Sequence, residues 1–209
     1  MSGKAAPAPG GREGNDVRRD QMLAAAASLI AERGFSETRI ADVAARVGAS
    51  PALIIYYFGT KDRLLTEALR HSEEGFYAEC AQMLATTPAI RDRLAGLVRL
   101  TLQPEDDDGD GYDTWGLWFD LWAQAFRHPG VAKDRVELDR RWRSTIARVV
   151  DDGIAAGEIE PVDSEDFAVT WDLLLDGLSI QVALNDEQVT YERAYDIAMT
   201  FARNALGLP

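Results

Sequence analysis

The feature that most restricts the fold is the placement of glycines at 34, 48 and 59 in a stretch whose apolar residues otherwise recur at three- and four-residue spacing. Met22, Leu23, Ala26, Ala27, Leu29 and Ile30 share a face of a helix predicted from Arg18 to Arg33. Gly34 closes that helix, because glycine enters the left-handed conformation of helix ends without steric cost. A short second helix carries Ile40, Val43, Ala44 and Val47, with Thr38 as its expected cap, and Gly48 supplies a tight turn. Ser50 then precedes Pro51, a pairing of N-cap and first helical residue in which the missing proline N–H costs nothing. The third helix runs to Gly59, and Thr60 caps a fourth that opens at Lys61. Two short helices joined by a glycine turn, the second opening on Ser-Pro, make a helix-turn-helix candidate whose second helix enters the major groove. The same pattern occurs in small helical proteins without nucleic-acid partners.

A formal charge of -13 argues against a nucleic-acid binder, since neutralising phosphate takes Lys and Arg on the contacting face. The average hides an asymmetry. Residues 1–61 hold eight of the 22 basic residues and six of the 35 acidic ones, a net of +2, so the remainder carries -15. A DNA-facing end on an acidic body fits this split, as does an acidic surface that serves solubility. Hydrophobic residues at 46% are ample for a core, and the first fifteen residues contain no apolar run, so they are expected to be a disordered tail and neither signal peptide nor membrane span. A single cysteine, Cys80, excludes an intrachain disulfide and suits a cytoplasmic location.

From Arg19 to Leu65 the chain reads R-x-x-M-L-x-A-A-x-x-L-I-x-E-R-G-F-x-x-T-x-I-x-D-V-A-x-x-V-G-A-S, then P-A-L-I-I-Y-Y-F-G-T-K-D-R-L-L. This stretch closely resembles the DNA-binding domain of the TetR family of transcriptional regulators. The resemblance implies an all-α fold: a three-helix helix-turn-helix domain over 16–62, then a larger ligand-binding and dimerisation domain over 63–209, with about nine helices in all. It places Pro51, Ala52 and Leu53 at the exposed start of the recognition helix, where small apolar groups meet thymine methyls. It places Thr38, Arg39, Ser50 and Lys61 at helix starts that meet phosphates, and Tyr56 and Tyr57 where one is expected to contact DNA and the other to pack in the core. Two positions depart from the family pattern: Ile55 stands where a tyrosine is usual, and Arg39 where a small hydroxyl residue is usual.

Beyond residue 63, apolar periodicity predicts helices at about 88–102, 113–127, 131–157, 164–184 and 190–206. The segment from Phe167 to Leu184 is apolar on more than one face, which implies burial on two sides, by core and by partner. The resemblance implies a homodimer through the last two helices. Trp115, Trp118, Phe119 and Trp122 form an aromatic stripe that is either core or the wall of a ligand cavity, with Trp142, Trp171, Asp120 and Asp172 as further lining candidates. Tryptophan with aspartate suits a cationic effector, and aromatic rings suit any planar apolar compound. The C-terminal half is similar to choline-responsive members of the family.

No phosphate loop, nucleophile elbow or Ser-His-Asp arrangement marks an enzyme. The run Asp106, Asp108, Asp110, Gly111 opens like a calcium loop, but Leu117 stands where the closing glutamate belongs, and His71 and His128 have no second ligand, so no metal or cofactor is expected. The reading is a ligand-responsive regulator of double-stranded operator DNA, by default a repressor released by its effector. The alternative is a ligand-independent DNA-binding or architectural helical protein.

Overall fold

A computed structural model describes residues 10–102, 114–126 and 129–208. Among them the chain is all-helical, with nine helices: α1 Gly10–Arg33, α2 Ile40–Arg46, α3 Pro51–Phe58, α4 Lys61–Thr86, α5 Ile90–Leu102, α6 Thr114–Ala125, α7 Pro129–Ala155, α8 Ser164–Ala183 and α9 Tyr191–Leu206. They fall into two compact units. Among the described residues one comprises 10–75 with Gly116–Asp120; the other comprises 76–102, 114–115, 121–126 and 129–208. The first unit therefore runs past the boundary expected at residue 62, and helices α4 and α6 each contribute to both units.

In the first unit the glycines act as the sequence suggests. Gly34 adopts φ +84 and Gly48 φ +62, turns that a side chain would strain. Ser50 caps α3, its Oγ accepting from the Leu53 amide at 3.3 Å, with Pro51 in the first turn. Two elements differ from expectation. Helix α1 starts at Gly10 and not at Arg18; Gly14 to Val17 are exposed, so no apolar periodicity announces those turns. The cap of α2 is Arg39, whose amide donates to Asp42 Oδ2 at 3.3 Å, while Thr38 lies one residue outside. Met22, Leu23, Leu29 and Ile30 of α1 bury against Val43, Ile54, Phe58, Leu64 and Leu65, and Leu117 of α6 joins this cluster. Arg19 ties α1 to α4 through an ion pair with Glu67 and stands 5.5 Å over the Phe58 ring.

The second unit has its own core of α5, α7, α8 and α9 side chains. Helix α8 buries Phe167, Ala168, Trp171, Asp172, Leu175, Leu178 and Ser179, one face at helical spacing. Its other face leaves Val169 and Leu173 in the open within the single chain. Thr190 caps α9 and Gly207 ends it in the left-handed region.

Candidate nucleic-acid interface and effector site

The cap of α3 fixes which of its residues face outward. Pro51 and Ala52 are exposed, Leu53 is half-buried, and Ile54 and Phe58 turn into the core. Ser50 and Arg39 are exposed at the starts of α3 and α2. Tyr56 is 80% exposed; Tyr57 is half-buried, with its hydroxyl donating to Asn15 Oδ1 on α1. Ile55, where the family pattern has a tyrosine, is exposed too. Lys61 Nζ donates to the Ser36 carbonyl at 2.8 Å, beside the Phe35 ring, and keeps two further N–H groups for another acceptor. Thr38 requires correction as a phosphate contact. It is fully buried, its amide donates to the Gly34 carbonyl, and its hydroxyl lies 2.9 Å from Gly34 O and 3.1 Å from Leu29 O, so neither donor faces solvent.

The residues expected to line an effector cavity separate. The Asp120 carboxylate accepts from the Phe35 amide, just past the end of α1, so it anchors α6 within the first unit instead of facing an effector. Beside it the Gly116 backbone lies against α1 so closely that a Cβ there would sit 2.6 Å from the Ala31 carbonyl oxygen. Trp171 is fully buried, tilted against Phe167, and its indole N–H donates to the Ala198 carbonyl at 3.1 Å; it is core, not cavity wall. Among the described residues of α6 the buried positions are Leu117, Leu121 and Gln124, the first two each one residue before a tryptophan. Trp118, Phe119 and Trp122 are half-buried, and Phe126 is 95% exposed. The Trp115 side chain and residues 103–113, which hold the aspartate run, lie outside the described residues.

Trp142 and Asp172 remain, and each belongs to a group within the second unit. Trp142 packs on Phe76, with ring centroids 5.3 Å apart, and on Tyr77 at 6.5 Å; Arg141 covers the Tyr77 ring at 3.7 Å. One turn away on α7, Asp139 pairs with Arg135 at 2.9 Å. Arg143 Nε donates to Asp172 Oδ2 at 2.6 Å, joining α7 to α8, and Asp176 stands one turn farther along α8. Burial pushes the carboxyl of Asp172 above its ordinary range despite Arg143. For Asp176, burial and then the like charges of Asp172 and Asp139 raise it to about 7. Aromatic faces, and carboxylates held in low dielectric, are each chemistry for a positive charge.

Residues 22–68 match the model of the bacterial regulatory proteins of the tetR family, and residues 88–207 match that of the BetI-type transcriptional repressor C-terminal domain. The chain belongs to the TetR family of transcriptional regulators. A BetI transcriptional regulator of Burkholderia thailandensis is 30% identical over 81% of this chain and 83% of its own. One from Rhizobium meliloti is 28% identical over 88% and 86%. Among solved structures, a transcriptional regulator from Saccharomonospora viridis in complex with choline shares 30% identity and a TM-score of 0.80, covering 92% of this chain and 98% of its own. A TetR-family regulator from Rhodococcus sp. shares 28% identity with a TM-score of 0.78, over 91% and 99%. The TetR assignment agrees with the glycine-punctuated pattern and with the all-helical architecture. Sequence reasoning missed Phe76, Tyr77, Asp139, Arg135 and Arg143. One signal was available: two aspartates four residues apart in the apolar run W-D-L-L-L-D repel on one helix face, and burying such a pair calls for cations from a neighbouring helix.

Proposed function

We propose that this TetR-family regulator senses a small organic monocation of the choline type through the Phe76, Tyr77 and Trp142 rings and the Asp139, Asp172 and Asp176 carboxylates. The observation that carries the reading is the half-buried Trp142, packed on Phe76 and Tyr77 and one helical turn along α7 from Asp139, the carboxylate paired with Arg135. A quaternary ammonium gives up little hydration and gains ring-face attraction and Coulomb energy there. The choline bound by the similar Saccharomonospora viridis regulator supports the same class of ligand.

The regulator works in the cytoplasm as a homodimer. Val169 and Leu173 on α8 and Ile197 on α9 are exposed apolar side chains, and Gly177, one turn on from Leu173, has open space over its backbone where a second copy can approach. Two recognition helices then reach successive major grooves, about 34 Å apart. Arg39, Ser50, Tyr56 and Lys61 reach phosphates, and Pro51, Ala52 and Leu53 lie on the bases. The effector lowers operator affinity only by binding better to the body conformation that misplaces these helices. Isothermal titration of choline into the full-length protein tests the effector class: saturable binding of one choline per chain, with neutral isosteres much weaker, is the expected result. Equal affinity for the neutral isostere would remove the cationic reading.

A further inference from the structure

Helix α3, P-A-L-I-I-Y-Y-F, contains no charged and no amide side chain. The Ser50 cap and the burial of Ile54 and Phe58 fix its rotation, so that Ala52, Ile55 and Tyr56, three and four residues apart, share the face turned to solvent, with Pro51 one turn before Ile55. Ile55 is 49% exposed. Tyr57 turns aside, its hydroxyl held by Asn15 and its ring edge-on to that of Tyr56. Among the described residues the Tyr56 hydroxyl is therefore the one hydrogen-bonding group that a side chain of α3 brings to this face. Bidentate hydrogen bonds pair Arg or Lys with guanine and Asn or Gln with adenine, and Asp or Glu accepts from cytosine; none of those residues stands on α3. What such a face can still read in a major groove is the C5 methyl of thymine. Its surroundings are those of a DNA contact: from Arg39 to Lys61 the chain carries three cations against one carboxylate, and Arg39 and Ser50 are exposed at the starts of α2 and α3.

Resting on the placement of Pro51 and Ala52 against bases, we propose that Ile55 is a specificity-determining residue: its side chain packs on a thymine methyl one helical turn along α3 from Pro51, and the operator is told apart by C5 methyl groups and not by hydrogen bonds from this helix. The tyrosine usual at this position in the family has a hydroxyl to offer a phosphate, and isoleucine has none. A phosphate contact positions the protein without carrying sequence information, whereas an apolar contact with a methyl group distinguishes thymine from cytosine. Isoleucine thus exchanges a positioning contact for a reading one. Burial of the methyl against Ile55 removes apolar area of both partners from water. Loss of that burial costs about fourfold in affinity at each half-site, and roughly 15-fold over the two half-sites of a symmetric operator.

The test uses a duplex that the full-length wild-type protein recovers from a randomised DNA pool, resynthesised with deoxyuridine for thymidine at one symmetric pair of positions at a time and then throughout. Uracil lacks the C5 methyl and keeps every hydrogen-bonding group of thymine. Fluorescence anisotropy gives Kd for wild type and for Ile55→Ala, which retains the fold because Ile55 lies outside the core and alanine favours a helix more than isoleucine does. At one pair of positions wild type should lose roughly 15-fold on the change to uracil. Ile55→Ala, weaker than wild type on the thymine duplex by at least that factor, should not distinguish the two bases there, and at the other thymines the two proteins should lose alike. Losses that are the same in both proteins at every position overturn the assignment of Ile55 and leave Pro51 and Ala52 as readers. A preferred duplex bound equally well with uracil throughout overturns methyl reading by α3 as a whole. Recovery of no preferred sequence overturns the base contacts of α3, those of Pro51 and Ala52 included.

Discussion

Replacing Trp142 with leucine separates ring-face attraction from simple apolar burial. Leucine keeps a comparable apolar side chain on α7 but has no π face to offer a cation. The attraction of a cation to an indole face is worth about 0.5–1 kcal/mol at exposed sites and about 2 when desolvated. Trp142 is half-buried against Phe76 and Tyr77, so a value of about 1–1.5 kcal/mol is appropriate, which is a loss of roughly five- to fifteen-fold in choline affinity. Loss of the two ring contacts also lowers Tm, since aromatic pairs contribute about 0.5–1.5 kcal/mol each. Calorimetric titration of choline, with circular dichroism to confirm the fold, reads both quantities. The same substitution at Phe126, which is 95% exposed, serves as the control and should leave affinity unchanged. A folded Trp142→Leu protein that binds choline within twofold of wild type would refute the assignment of this ring to the effector site.

Four further outcomes follow from the geometry. Thr38→Val removes a buried hydroxyl from the Leu29 and Gly34 carbonyls and should cost about 1 kcal/mol, lowering Tm by about 2–4 °C while leaving the salt dependence of DNA binding as in wild type. Lys61→Ala should weaken binding to specific and scrambled DNA alike and reduce the slope of log affinity against log salt by about one, as measured by fluorescence anisotropy. Gly116→Ala places a methyl group 2.6 Å from the Ala31 carbonyl oxygen, so α6 must shift on α1, at about 1–3 kcal/mol of stability seen in denaturant titration. Leu173→Asp puts a charge on the exposed apolar face of α8 and should halve the molar mass found by light scattering, with loss of two-fold-symmetric operator protection.

The legible part of this molecule is the part in which local chemistry decides structure. Ser50-Pro51, Gly34, Gly48 and Gly59 each satisfy a backbone requirement within a few residues, so helix α3 and its start follow from spacing, while its reading as a recognition helix comes from the family resemblance. Periodicity also marks α5 to α9, but it reports only that a face is apolar, not what covers it. Trp171 and Trp142 look alike in sequence; one is buried with its N–H satisfied by Ala198, the other is half-buried against Phe76 and Tyr77. On α6 Leu117 and Leu121 are buried, each one residue before a half-buried tryptophan, so the aromatic spacing alone does not say which face is covered. Thr38 reads as a helix cap open to phosphate, and only the path of the chain around Gly34 buries it. Contacts such as Asp120 with Phe35 and Arg143 with Asp172 join residues 85 and 29 positions apart, a distance over which spacing rules carry no information. The first turns of α1, polar and exposed, bury nothing that a pattern could reveal.

The most direct test of an effector-controlled operator binder is fluorescence-anisotropy titration of the full-length protein against DNA from upstream of its own gene and against scrambled DNA, over a salt series, with and without choline. The account predicts preference for the upstream fragment and a rise in its apparent Kd on adding choline, with little change for scrambled DNA. Equal binding to both fragments, unmoved by choline at concentrations that saturate the protein, would contradict it.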